Sequence, residues 1–243
     1  VLAAGFGAPL VLAGCSPPLI VDYRYRFNVV VRVDGEEHEG SSVFRVRFQD
    51  NTRGVRLPGG GGTERVTLWA EAPIVDLGPR HGLLFATIYR RVSGVNGGYA
   101  AYVFPTVAVD FNRRAFNHGQ PGTWEQIREE GFAALREMAD LTREYVIPEP
   151  LWPTFVRFAN LQNPASVQEV TQANIAFFYG ADAAIVRVTA QITDERPTRR
   201  IDEVLPWLRE HRYTLSGDPL RRPDGPIGGQ LGVNDLIRWN KSS

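Results

Sequence analysis

Tyr23-Arg24-Tyr25-Arg26-Phe27-Asn28-Val29-Val30-Val31-Arg32-Val33 is the stretch that decides the fold class. Tyr23, Tyr25, Phe27, Val29, Val31 and Val33 fall on one side of a period-two pattern, with Asp22, Arg24, Arg26, Asn28 and Arg32 on the other. Successive side chains of a strand point to opposite faces, so this pattern predicts a long strand with one face buried and one solvated. Asp34-Gly35 is a turn signal. Beyond it Phe44, Val46 and Phe48 alternate with Arg45 and Arg47, which predicts a second strand antiparallel to the first. The connection, residues 34–40, is acidic and is expected to be solvated.

Outward from this hairpin, residues 66–72 and 83–89 read as strands, the latter apolar on both faces and so central in a sheet. Residues 99–111 are strand-like, interrupted by Pro105. Thr123-Trp124-Glu125-Gln126 fits a capping box. Behind it Trp124, Ile127, Gly131, Leu135, Met138, Leu141 or Thr142, and Tyr145 recur at three- and four-residue steps, with Glu125, Arg128, Glu129 and Arg136 facing away. That spacing predicts one long amphipathic helix over about 124–143, ended by the three prolines of 147–153. A short strand at 154–158, a short helix at 171–179 closed by Gly180, and a strand at 184–193 follow. The last of these carries Val186, Val188, Ala190 and Ile192 on one side. A short helix over 201–209 is broken by Pro206, and the Gly-, Pro- and Arg-rich stretch from Ser216 reads as irregular coil. The expectation is an α+β fold, a mainly antiparallel sheet with one long amphipathic helix and short helices. A single domain is expected over 23–215, with 216–243 as its tail.

Composition excludes several chemistries. The chain has 243 residues, zero formal net charge and 22% charged residues, so no global field attracts a polyanion, and neither a nucleic acid nor a nucleotide partner is expected. Of 27 basic residues Lys241 is the one lysine, third from the end. A P-loop, a pyridoxal Schiff base and a Ser-x-x-Lys acyl enzyme each need a lysine in a defined place. Gly59-Gly60-Gly61-Gly62 lacks the Gly-Lys-Ser/Thr ending of a phosphate cradle and reads as a flexible loop. One cysteine can build neither an internal disulfide nor a Cys-rich zinc site, so no metal and no cofactor is expected.

That cysteine is Cys15. Residues 1–14 are uncharged and apolar, the length of a signal core and too short to span a bilayer. They end in Leu12-Ala13-Gly14-Cys15-Ser16, which resembles the lipobox of bacterial lipoproteins. The resemblance implies that Cys15 is acylated with diacylglyceryl and palmitate chains and that the signal is cut before it. It further implies a membrane-anchored protein of the cell envelope, facing the periplasm. Signals open with Met and basic residues, whereas Val1 opens this chain, so 1–14 is read as a signal remnant. Ser16-Pro17-Pro18 cannot continue a helix and begins a tether expected over 15–22. The runs Tyr23-Arg24-Tyr25-Arg26, Gly40-Ser41-Ser42-Val43, Pro153-Thr154-Phe155-Val156-Arg157-Phe158, Asn163-Pro164, Ile192-Thr193-Asp194-Glu195 and Leu205-Pro206-Trp207-Leu208 resemble a set of proteobacterial proteins of unassigned activity. That resemblance implies a family spanning most of the chain and adds no chemistry.

The remaining candidates have bland counterparts. His38, His81, His118 and His211 show no ligand spacing and read as surface or satisfied histidines. Asp194-Glu195 with Asp202 and Glu203 could offer oxygens to a cation, yet Arg196, Arg199 and Arg200 beside them suggest a surface ion-pair cluster. Asp110 closes a predicted strand. Asp110, His118 and Asp194 are therefore the candidates for a catalytic site assembled by the fold. Arg24, Arg26, Arg32, Arg45 and Arg47 read as the solvent side of two strands. Trp152 and Trp207 read as packing anchors, and the alternative reading of the tryptophans is a glycan or peptide platform. The expected function is a lipid-anchored envelope protein acting as a non-enzymatic binding module for an envelope protein or glycan. The alternative is a lipid-anchored hydrolase of wall or lipid material.

Overall fold

The computed structural model describes residues 19–50, 64–88, 99–111, 114, 124–222 and 224–239. In chain order its elements are β1 (Leu19–Val33), β2 (Glu36–Asp50), β3 (Glu64–Glu71), β4 (Ile74–Asp76), β5 (Leu83–Ala86), α1 (Tyr99–Val109), α2 (Trp124–Ala139) and β6 (Tyr145–Val146). They continue with β7 (Phe155–Phe158), β8 (Val167–Val170), α3 (Ile175–Tyr179), β9 (Ala184–Ile192), α4 (Ile201–Val204), α5 (Ile227–Gln230) and β10 (Ile237–Arg238). The result is a mixed fold of helices and antiparallel sheet, with strands ordered β10-β3-β2-β1-β9-β6 in one sheet and β4-β5-β7-β8 in another. Residues 1–18, with Cys15 and the start of the expected tether, lie outside the described residues, as do Gly59 to Gly62, the 93–98 turn, Thr123 and His118.

The β1–β2 hairpin is longer than the sequence pattern suggests at both ends. The strands stay in register from Leu19 opposite Asp50 to Val33 opposite Glu36. Asp34 (φ 52°) and Gly35 (φ 79°) both take positive φ, the two-residue turn whose twist matches that of the strands it joins. The acidic run expected as a solvated connection is therefore ladder, because backbone pairing directly after so tight a turn needs no apolar side chain. At the other end Leu19 to Asp22, expected in the tether, belong to β1: Val21 continues the buried side opposite Phe48.

Within the stretch expected as a strand, residues 99–109 form a helix. Tyr99 to Val109 is apolar around most of its circumference, and such a run has no period that separates strand from buried helix. Pro105 sits inside this helix. It has no N–H to give the carbonyl of Ala101, four residues earlier. The Tyr23 hydroxyl supplies the missing donor, bonding the Ala101 carbonyl at 3.3 Å, while the Tyr25 hydroxyl donates to the carbonyl of Ala100. Burial pushes both phenols well above their ordinary pKa and keeps them protonated as donors. The aromatic side of β1 thus seats a proline-bearing helix on the sheet.

α2 stops at Ala139, short of the expected 143, and Tyr145 pairs with Ala190 as part of β6. Phe132, Leu135 and Met138 enter the main core. Arg128, expected in solvent, instead reaches the fully buried Asp50, Nε to carboxylate 3.1 Å. In β9 a bulge intervenes, since Val30 faces Arg187 and Val31 faces Ile185. The one-sided pattern through Val186 is broken there: Ile185 is buried before the extra residue, Val188 and Ala190 after it.

β5 lies between β4 and β7, as its two apolar faces predict. Gly40 marks the joint between β2 and β4. A Cβ there would stand 2.6 Å from the Ile74 carbonyl carbon and 2.8 Å from Val75 Cα. A second core gathers Phe85, Val156, Phe158, Ile201, Leu205 and Leu208 with Leu215, Leu231 and Leu236. The last two belong to the stretch expected as irregular coil. Its described part instead carries α5 and β10, and β10 pairs with Ala70 and Glu71 of β3. Glycine and proline hide this order from a compositional reading, while leucines at wide spacing supply it.

Candidate functional site

The polar face of the large sheet is built as three cross-strand rows: Ile20–Gln49–Arg65, Asp22–Arg47–Thr67 and Arg24–Arg45–Trp69. The alternation of β1 sets this face, and the register of β2 and β3 lines the arginines up on it. Four guanidiniums oppose one carboxylate within the nine positions. Asp22 accepts from Arg45 through both oxygens, at 2.9 and 2.7 Å, and these bonds raise the guanidinium pKa further. Arg45 also lies over the Trp69 ring at 4.8 Å. Arg24 and Arg65 have no carboxylate at ion-pair distance among the described residues. Ile20 is 45% exposed.

A strap crosses beside this face. After β9 the Thr193 N–H bonds the Arg24 carbonyl on β1 (3.0 Å), and Glu195 pairs with the Arg26 side chain. Thr198 gives its N–H to the Val43 carbonyl on β2 (3.2 Å) and accepts the Val43 N–H with its hydroxyl (2.7 Å). The N–H groups of Arg200 and Ile201 then bond the carboxylate of Glu71 on β3 at 2.9–3.1 Å. Glu71 is 2% exposed, and burial raises its pKa despite these donors. Between strap and sheet lies a half-open groove of about 530 Å³, lined by Asp22, Arg24, Arg45, Asp194, Arg196 and the end of α2 at Ala139.

The opposite end of the hairpin has the opposite sign. Asp34, Glu36, Glu37, Glu39, Asp76 and Asp182 surround the turn, with Arg32, Arg80 and Arg187 among them. His81 bonds Asp34 (2.9 Å) and holds its carboxyl below the usual range. The ring of Tyr179 stands edge-on to His81, its buried hydroxyl pushed up to about 12 by desolvation, and Phe177 beside it is 85% exposed.

The sequence candidates are placed as follows. Asp194 lines the groove. Asp110 is not among the groove residues; it sits at φ 54° where α1 ends, its carbonyl accepting the Arg114 N–H. His118 and Cys15 lie outside the described residues. His38 is on β2 opposite Val31, and His211 bonds the Thr214 carbonyl at 2.6 Å. The acidic quartet is divided: Glu195 pairs with Arg26 and Asp202 with Arg209. Among the described residues no three His, Cys, Asp or Glu side chains come together to hold a metal. Trp152 and Trp207 donate to the carbonyls of Ile147 and Leu161, packed against Phe155 and Phe158. The strap and the Glu71 clamp were missed by sequence reasoning; a carboxylate between Ala70 and Ala72 at the end of an apolar strand was the available signal.

Comparison with protein families, with curated proteins and with solved structures returns no match.

Proposed function

We propose that this is a lipid-anchored cell-envelope protein, tethered through acylated Cys15 and facing the periplasm, whose folded part is a binding module for an envelope protein or glycan. The anchor rests on the lipobox-like Leu12-Ala13-Gly14-Cys15. The observation that carries the binding role is the groove between strap and sheet, where Arg24, Arg45 and Arg196 stand with Asp22 and Asp194 around an open trough. Guanidiniums and carboxylates fixed on a sheet suit the hydroxyls and carboxylates of a glycan or stem peptide. We read α2 as the amphipathic element that covers the core beside this trough, Phe132, Leu135 and Met138 inward and Glu129, Glu130 and Arg136 outward. No helix among the described residues is long and apolar enough to cross a membrane. On this reading the attachment is the acyl chains.

The anchor is tested in the full-length gene by replacing Cys15 with Ala and measuring acyl labelling and membrane fractionation; unchanged labelling and pelleting refute it. The binding role is tested by cross-linking intact envelopes with a photoreactive residue at Arg196. A specific glycan or protein adduct supports it, and its absence alongside an efficient control position on the same face refutes it. A hydrolase of wall or lipid material is the second reading, favoured by the carboxylate of Asp194 in the groove. Asp194→Asn abolishes turnover of wall fragments on that reading and leaves ligand capture intact on the first.

A further inference from the structure

We infer that the arginine face between Ile20 and Trp69 docks on an anionic phospholipid surface. The inference deepens the anchored reading and rests on it for geometry. Four residues separate Cys15 from Ile20, five Cα steps that span at most about 18 Å when fully extended. An acylated Cys15 therefore brings the Leu19 end of β1 to within that distance of the acyl chains, close to the headgroup layer. β1 itself, 15 residues at about 3.3 Å each, runs roughly 50 Å from that end to the turn. The nine positions of the face carry four guanidiniums to one carboxylate, with Asp50, paired to Arg128, and Glu64 at the same end of the strands, whereas six carboxylates stand with three guanidiniums around the turn. Zero net charge over the whole chain conceals this division. A lipid surface of negative potential attracts the arginine face and disfavours the acidic turn.

The side chains fit the partner. Arg24 and Arg65, which have no carboxylate at ion-pair distance among the described residues, keep their donors for phosphate oxygens. Trp69, an indole of the kind enriched at bilayer interfaces, lies under Arg45 on this face, and the exposed Ile20 adds a small apolar contact on the same face. The strap limits the face on the β9 side, so the docking area is the open three-stranded patch, which shares Asp22, Arg24 and Arg45 with the groove.

The test uses the full chain carrying Cys15→Ser, which removes the acylation site, with vesicles of phosphatidylcholine alone or with about a third phosphatidylglycerol. Each arginine near an anionic surface contributes about five-fold in partitioning. The expected results are a preference for the anionic vesicles of ten-fold or more, its loss on raising salt, and a fall of about a hundred-fold for Arg24→Gln/Arg47→Gln/Arg65→Gln. Glu36→Gln/Glu37→Gln/Glu39→Gln at the turn leaves binding intact or strengthens it. Circular dichroism checks the folding of each variant, and Arg65→Gln alone, an exposed position, gives the five-fold step if the triple variant misfolds. Equal partitioning to the two vesicles, or an unchanged triple variant that is folded, overturns the inference. So does inorganic polyphosphate that competes fully at phosphate concentrations matching the lipid, because the ligand is then a free polyanion. Acyl labelling at Cys15 is read independently: no label with vesicle preference retained removes the anchor and leaves the face, and the converse removes the face alone.

Discussion

Replacing Gly40 with Ala puts a methyl group where the two sheets meet. The added carbon would stand 2.6 Å from the Ile74 carbonyl carbon and 2.8 Å from Val75 Cα. Ordinary carbon contacts are about 3.5–4.0 Å, so β2 and β4 must part by about 1 Å. Both obstacles are backbone, and no rotamer change relieves them. Overpacking of this kind costs about 1–3 kcal/mol, against which stiffening of the unfolded chain by Gly→Ala returns about 0.4–1 kcal/mol. The clash is at the severe end of that range, so a net loss of about 2 kcal/mol is expected. For a chain of this size it corresponds to a fall in Tm of about 4–8 °C. Urea unfolding followed by tryptophan fluorescence measures the free energy, and a thermal scan measures the Tm. Gly78→Ala is the control: Gly78 has positive φ (83°) and nothing within 4 Å of its would-be Cβ, so it carries conformational strain without a clash. A Gly40→Ala variant within about 0.5 kcal/mol of the parent would refute the close approach of β2 to β4.

Tyr23→Phe strands the Ala101 carbonyl that Pro105 cannot serve and costs about 1 kcal/mol; in a Pro105→Ala background the restored N–H takes the carbonyl and that cost shrinks, a coupling read in a double-mutant cycle. Glu71→Gln loosens the start of α4, with a pH dependence whose sign is fixed. The folded pKa of Glu71 is raised by burial, so the parent is most stable below its unfolded pKa and loses stability as pH rises through the folded value. The glutamine variant lacks that loss, so its deficit narrows as pH rises, and a deficit that widens contradicts the assignment. Phe177→Ser, at an exposed position, changes unfolding free energy by less than about 0.5 kcal/mol, whereas Tyr179→Ala, with its ring buried, costs about 3 kcal/mol.

The parts of the fold legible in the sequence are those where one face of an element is wet. β1 announces itself because Arg24 and Arg26 alternate with Tyr23, Tyr25 and Phe27, and the turn because Asp34-Gly35 tolerates positive φ. The central place of β5 and the break at Pro206 were legible for similar local reasons. Residues 99–109 were not, since burial on most sides erases the period and the donor that stands in for Pro105 comes from Tyr23, 78 residues away. The bulge in β9 was hidden because Val186 is as apolar as Ile185 before it. At the candidate site the arginines were legible as a solvent face. Their alignment into rows was not, because it depends on the register of β3 against β2, and the strap was invisible because its bonds run from backbone to strands distant in sequence.

The pairing of β1 with β9 has a consequence for the order in which the chain is made. Tyr25 to Arg32 of β1 find their second neighbour in Ala184 to Ile192, so one edge of the longest hairpin, complete at Asp50, waits for about 140 further residues. At about 5–20 residues per second this is roughly 7–28 s of synthesis, during which an aromatic- and valine-rich strand has a row of unpaired N–H and C=O groups. Arg26 and Arg32 on that strand then serve the nascent chain, keeping the waiting edge charged and soluble until its partner arrives.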